Sequence, residues 1–199
     1  MTTNRIALFG GSFNPPHVAH QLVGLYVLET QPVDEIWYVP VYAHPFGKDL
    51  APYEDRVAMC ELVASALGSR ARVSRAEEEL ALAPGFTVSH TLDLIEHLAG
   101  RDRELRLVVG ADILGETAKW YRWDDVVAKA PLIAIGRSGF SAPPGSVITG
   151  LTMPEVSATA VRELLAAAGP QAAALDALLP RDVLRYIASH RLYAATELS

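Results

Sequence analysis

Short apolar runs recur along this chain at Ile6–Phe9, Glu35–Val41, Arg72–Ser74, Glu104–Val109 and Leu132–Ile135. Each is of strand length and apolar enough to be covered on both faces. Between them lie stretches of helical composition: His17–Glu29, Tyr53–Leu67, Val88–Leu98 and a piece near Asp112–Ala130. The alternation predicts an α/β fold, a doubly wound parallel sheet with helices on both faces. A Ser/Pro/Gly-rich loop follows at Ser138–Gly145, and Val147–Thr149 reads as a last short strand. Two helices, Ser157–Ala168 and Pro180–His190, then close the chain, parted by Gly169-Pro170. No repeat or linker interrupts the pattern. Residues 1–199 therefore read as one domain, with C-terminal helices over about 157–190.

Composition narrows the partners. A net charge of −6 argues against bulk nucleic-acid binding, while leaving room for a local basic pocket. Cys60 is the single cysteine and lies in an apolar helical run, so it reads as a buried thiol rather than part of a disulfide framework. The N-terminus lacks the regions of a signal peptide, and no apolar run is long enough to span a bilayer. The expectation is a soluble cytoplasmic protein with no membrane partner. A homo-oligomer is left open.

In a doubly wound sheet, ligands bind beyond the carboxyl ends of the strands. The residues able to do chemistry fall in those loops. The first strand feeds Gly10-Gly11-Ser12-Phe13-Asn14-Pro15-Pro16-His17-Val18-Ala19-His20. As a strand-to-helix turn it offers backbone N–H groups and a helix dipole to an anion, and its glycines allow close approach. His17 and His20 are three apart and share one face of the helix start. A bound phosphate would raise their pKa values and recruit positive charge where a transition state gains negative charge.

Farther along, Ser157 is a good N-cap for its helix. Thr159 and Arg162 follow three apart, with Arg162 leaning back towards the helix N-terminus. A hydroxyl, free N–H groups and a guanidinium would then converge on one anion; in isolation the same residues also read as a plain capped helix with a surface arginine. Gly110-Ala111-Asp112 ends the fourth strand, where Asp112 can accept from ribose hydroxyls or cap a helix. Trp120 can stack on an aromatic base or fill the core. His44 and Lys48, after the second strand, suit either a substrate contact or a solvated turn. Arg137 follows the fifth strand.

The run from Gly10 to His20 resembles the HxGH signature of the nucleotidyltransferase superfamily, with Ala19 where the pattern usually has Gly and Asn14 where many members have Asp. Val156-Ser157-Ala158-Thr159-Ala160-Val161-Arg162 is similar to the ISSTxxR signature of adenylyltransferases, with Val156 for Ile and Ala158 for the second Ser. Gly110-x-Asp112 with Trp120 downstream, Phe86-Thr87 and the closing run Leu179–Tyr193 resemble the nicotinate-nucleotide adenylyltransferases in particular. The likeness covers nearly the whole chain. It departs after the second strand, where Ala43-His44-Pro45-Phe46-Gly47-Lys48 replaces the family's usual Asn and Pro-Pro-His-Lys/Arg run.

The resemblance implies a Rossmann-like nucleotidyltransferase fold and transfer of the adenylyl group of ATP to nicotinate mononucleotide, releasing pyrophosphate. It implies that His17, His20 and Arg162 are catalytic. Gly10, Gly11, Ser12, Phe13, Gly110, Asp112, Arg137, Ser157 and Thr159 would bind ATP. His44, Lys48, Thr87 and Trp120 would bind the acceptor. No carboxylate cluster suggests a protein-made metal site, so Mg²⁺ would be held mainly by ATP phosphates and water. Two alternatives stay open: the same transfer to nicotinamide mononucleotide or phosphopantetheine, and a non-catalytic nucleotide-binding module.

Overall fold

The computed structural model describes residues 3–42, 50–85, 90–136 and 139–194. Six parallel strands form one sheet: β1 (Asn4–Gly11), β2 (Glu35–Pro40), β3 (Ala71–Val73), β4 (Arg103–Gly110), β5 (Leu132–Ile135) and β6 (Val147–Ile148). Their order is β3-β2-β1-β4-β5-β6. The expected doubly wound Rossmann-like sheet is what the chain forms.

Side chains alternate across it as the strand period requires. Ile6 and Leu8 of β1 enter one core with Trp37, Val39, Leu105, Leu107, Leu132 and Ala134. Ala7 enters the other with Ile36, Tyr38, Val108, Ile133 and Ile135. Helices α1 (Val18–Thr30), α2 (Tyr53–Ser65), α6 (Ala158–Ala168) and α7 (Arg181–His190) cover the second face. The first face is covered by α3 (Ala76–Ala81), α4 (Thr91–Leu98) and α5 (Trp123–Lys129).

Two stretches differ from expectation. The helical piece near 112–130 divides into 3₁₀ turns at Ala111–Gly115 and Thr117–Lys119 and the α-helix α5. Arg122 adopts a left-handed conformation (φ 50) just before α5, so the preceding turns cannot run into it as one helix. Helix α3 was not anticipated. It is six residues long, too short for a periodic apolar face to register.

Candidate active site

Connections leave β1 for β2 on one side, and β4 lies on the other, so the winding reverses between β1 and β4. Gly10 and Gly11 end β1, and Gly110 ends β4, at that crevice. A Cβ on Gly10 would meet nothing within 4 Å, which leaves its backbone open to a ligand. A Cβ on Gly11 would lie 3.1 Å from the Phe13 ring. Phe13 itself, in a left-handed conformation (φ 44), is buried edge-on against Phe9, Tyr38 and His20. Its side chain therefore builds the floor of the loop, which leaves only its backbone for a ligand contact.

His17 and His20 stack with ring centroids 3.8 Å apart. The His17 backbone N–H donates to His20 Nδ1 at 3.0 Å, so the His20 ring caps the start of α1. With Nδ1 accepting, the neutral ring carries its proton on Nε2. Burial lowers the His17 pKa to about 4. Burial, and then the charge of His17, lower that of His20 to about 3. His17 Nδ1 is buried without a partner among the described residues. The pair is thus neutral near pH 7 and poised to donate hydrogen bonds to an incoming anion.

Arg162 joins the two sequence motifs. From α6 its Nη1 donates to the Asn14 carbonyl at 2.7 Å, and its Nη2 reaches Thr159 Oγ1 at 3.3 Å. Ser157 caps α6, its hydroxyl accepting from Ala160 N–H at 3.4 Å. Ser12, Asn14, Thr159 and Arg162 consequently line one cavity of about 750 Å³. A second, mostly apolar cavity of about 260 Å³ lies at the switch point, between Phe9, Val109, Gly110, Ile135 and Met153, with His20 on its wall. Its dimensions and lining suit a flat aromatic group.

Asp112 folds its carboxylate back over Gly110, where any Cβ would collide with it. It lies inside the 3₁₀ turn Ala111–Gly115, whose cap position is Gly110, and so is not that turn's N-cap. Trp120 is half-buried, edge-on to Trp123 at 5.5 Å and packed on the core, so it serves packing while keeping part of its face accessible. His44, Lys48, Thr87 and Arg137 lie outside the described residues.

Three residues of this region were given no role of their own by the sequence reading. Arg56 of α2 is 1% exposed, and among the described residues its hydrogen bonds go to backbone carbonyls rather than to a carboxylate. Its guanidinium donates to the carbonyls of Ser12 (3.1 Å), Val41 (2.7 Å), Tyr42 (3.3 Å) and Ala51 (3.0 Å), tying the loops after β1 and β2 together. An arginine in an amphipathic helix ordinarily reads as solvated, so nothing in the spacing marked it. Asn14, buried, accepts at Oδ1 from Ala51 N–H (3.0 Å) and from the Tyr193 hydroxyl (2.9 Å). That last contact spans nearly the whole chain, beyond the reach of any local pattern.

Known proteins resemble this chain in sequence and in fold. The cytidylyltransferase-like family model matches residues 8–164. A protein of Anaeromyxobacter dehalogenans named "Probable nicotinate-nucleotide adenylyltransferase" is 48% identical over 190 residues, covering 94% of this chain and 96% of its own length. A protein of the same name from Myxococcus xanthus is 36% identical over 191 residues, covering 95% of this chain and 94% of its own. The solved structure of Plasmodium falciparum nicotinic acid mononucleotide adenylyltransferase complexed with NaAD aligns with a TM-score of 0.76 at 19% identity. It covers 96% of this chain and 97% of that one, a likeness of fold.

Proposed function

The chain belongs to the nicotinate-nucleotide adenylyltransferase family, within the cytidylyltransferase-like proteins, and from that membership we infer how its site works. It transfers the adenylyl group of ATP to nicotinate mononucleotide, giving nicotinate adenine dinucleotide and pyrophosphate in NAD biosynthesis. The observation that carries the assignment of residues is the Arg162–Asn14 hydrogen bond, which makes the histidine loop and the α6 N-terminus two walls of one cavity.

In this reading the adenine occupies the apolar cavity at the switch point, and Asp112 accepts from its ribose. The triphosphate then runs past His17 and His20, over Gly10 and Gly11, to Ser157, Thr159 and Arg162. The acceptor's phosphate oxygen attacks the α-phosphorus in line, and the bond to the pyrophosphate oxygen breaks. Such transfer needs positioning and charge stabilisation, with no protein nucleophile. The neutral imidazoles donate to the α-phosphate and the bridging oxygen as charge develops there. Trp120 and Thr87 hold the pyridine ring, with His44 and Lys48 at the acceptor phosphate and Arg137 beside the nucleotide.

Among the described residues no three His, Cys, Asp or Glu side chains converge. That donor set suits Mg²⁺ arriving on ATP, coordinated by phosphate oxygens and water. The chemistry it supplies is neutralisation of the triphosphate.

The test is pyrophosphate release with ATP and Mg²⁺, offering nicotinate mononucleotide, nicotinamide mononucleotide and phosphopantetheine in turn. Nicotinate mononucleotide should be turned over fastest. Equal or faster turnover with the amide would overturn the acid-specific assignment, and no release with any acceptor would leave a binding module.

A further inference from the structure

The turn after α7 carries a cation that the scheme above does not use. Helix α7 ends at His190, and Arg191 follows in the left-handed conformation (φ 52). Its N–H and that of Leu192 close on carbonyls of the last helical turn, Leu192 N to Ile187 O at 3.1 Å, as in a Schellman-type cap. Leu192 then packs on the core beneath α1, α2 and α6, and Tyr193 is fastened to Asn14 at 2.9 Å. The backbone at Arg191 is thus held from both sides.

It lines the same 750 Å³ cavity as Thr159 and Arg162. The described lining contains two arginines and no aspartate or glutamate, on a chain whose net charge is −6. Positive charge is therefore concentrated here against the overall sign. Arg162 already spends one nitrogen on the Asn14 carbonyl and another on Thr159. A departing pyrophosphate presents more acceptor oxygens than the N–H groups left on one guanidinium can meet.

Resting on the adenylyl-transfer reading, we propose that Arg191 is a second phosphate-binding arginine, contacting the β- and γ-phosphates of ATP and the pyrophosphate they become. The C-terminal turn then forms part of the triphosphate site, as α6 does from its N-terminus.

The backbone at this position supplies its own control. Glycine is the residue most at ease in the left-handed conformation, so Arg191→Gly removes the cation while relieving the chain. R191G should keep or raise its Tm. Its KM for ATP and inhibition constant for pyrophosphate should each rise about tenfold, the loss of one charge-assisted contact, with the KM for nicotinate mononucleotide unchanged. R191K should recover part of the loss. An R191G enzyme within about twofold of the parent on both ATP and pyrophosphate would overturn the proposal. Inorganic pyrophosphate alone should raise the Tm of the parent by more than that of R191G, and equal shifts would likewise overturn it. If the parent released no pyrophosphate with any acceptor, the functional reading would fall, while the pyrophosphate thermal shift would still decide the role of Arg191.

Discussion

His20 divides two tasks between its two ring nitrogens. Nδ1 accepts the His17 N–H and fixes the start of α1, which leaves Nε2–H for the reacting phosphate. Asparagine reproduces an acceptor near the Nδ1 position without reaching as far as Nε2. His20→Asn should therefore keep much of the cap but lose kcat by about 10²-fold, the effect of removing one oxyanion donor. His20→Ala should lose kcat as far and fall further in Tm, because a lost cap costs about 1 kcal/mol. Steady-state kinetics and thermal melts on the two variants separate the roles; near-normal turnover in H20N would take His20 out of the chemistry. At this scale the sequence was informative about local pairs. The stacking of His17 on His20 and the Ser157 cap both follow from i,i+3 spacing. Arg56 and Tyr193 do not, since their partners lie on distant loops, and Phe13 shows that a residue inside a motif can serve the core.

Helix α1 owes its place to a close approach rather than to a strongly one-sided apolar face. A Cβ on Gly24 would run into the Tyr38 hydroxyl and come within 2.7 Å of Leu67 Cδ1. That hydroxyl donates to the His20 carbonyl at 3.1 Å, so β2, α1 and the histidine loop meet at one point. Gly24→Ala gains roughly 1 kcal/mol of helix propensity. It should nonetheless destabilise by about 1–3 kcal/mol through overpacking, because Tyr38 is fully buried and has nowhere to move. Tyr38→Phe removes the closest of these atoms and leaves the flexible end of Leu67 to adjust, so the double variant should be more stable than the sum of the singles, read by urea melts as a coupling energy. Strictly additive effects would show that the helix shifts freely. Elements with buried, strand-length runs or long stretches of helical composition were legible: all six strands, α1, α2, α6 and α7 lie where the pattern put them. The 111–122 turns were not, because their course is set by the left-handed Arg122 and by packing around Trp120 and Trp123.

Across the whole molecule, folding holds two histidines in a form that acid opposes. The unfolded chain protonates histidine near pH 6.5, while burial holds His17 and His20 down to about 4 and 3. Between pH 6.5 and about 4 the unfolded state thus binds more protons than the folded one. Stability from this source is complete above pH 6.5 and is lost as pH falls. Carboxylates with lowered values, such as Glu54 with its ordinary 4.5, add their own acid sensitivity below that point, so the histidine window is cleanest from pH 6.5 to about 4.5. Tm should decline across that window in the parent, and the decline should flatten in the His17→Asn/His20→Asn double variant. Saturating pyrophosphate should flatten it too, because an anion beside the rings raises their folded pKa values towards that of the unfolded chain and narrows the difference in proton uptake. A parent whose Tm is level from pH 6.5 to 4.5 would mean that the imidazoles charge without penalty. The same desolvation that makes them good neutral donors to phosphate would then be absent, and with it the physical basis for placing them at the reacting centre.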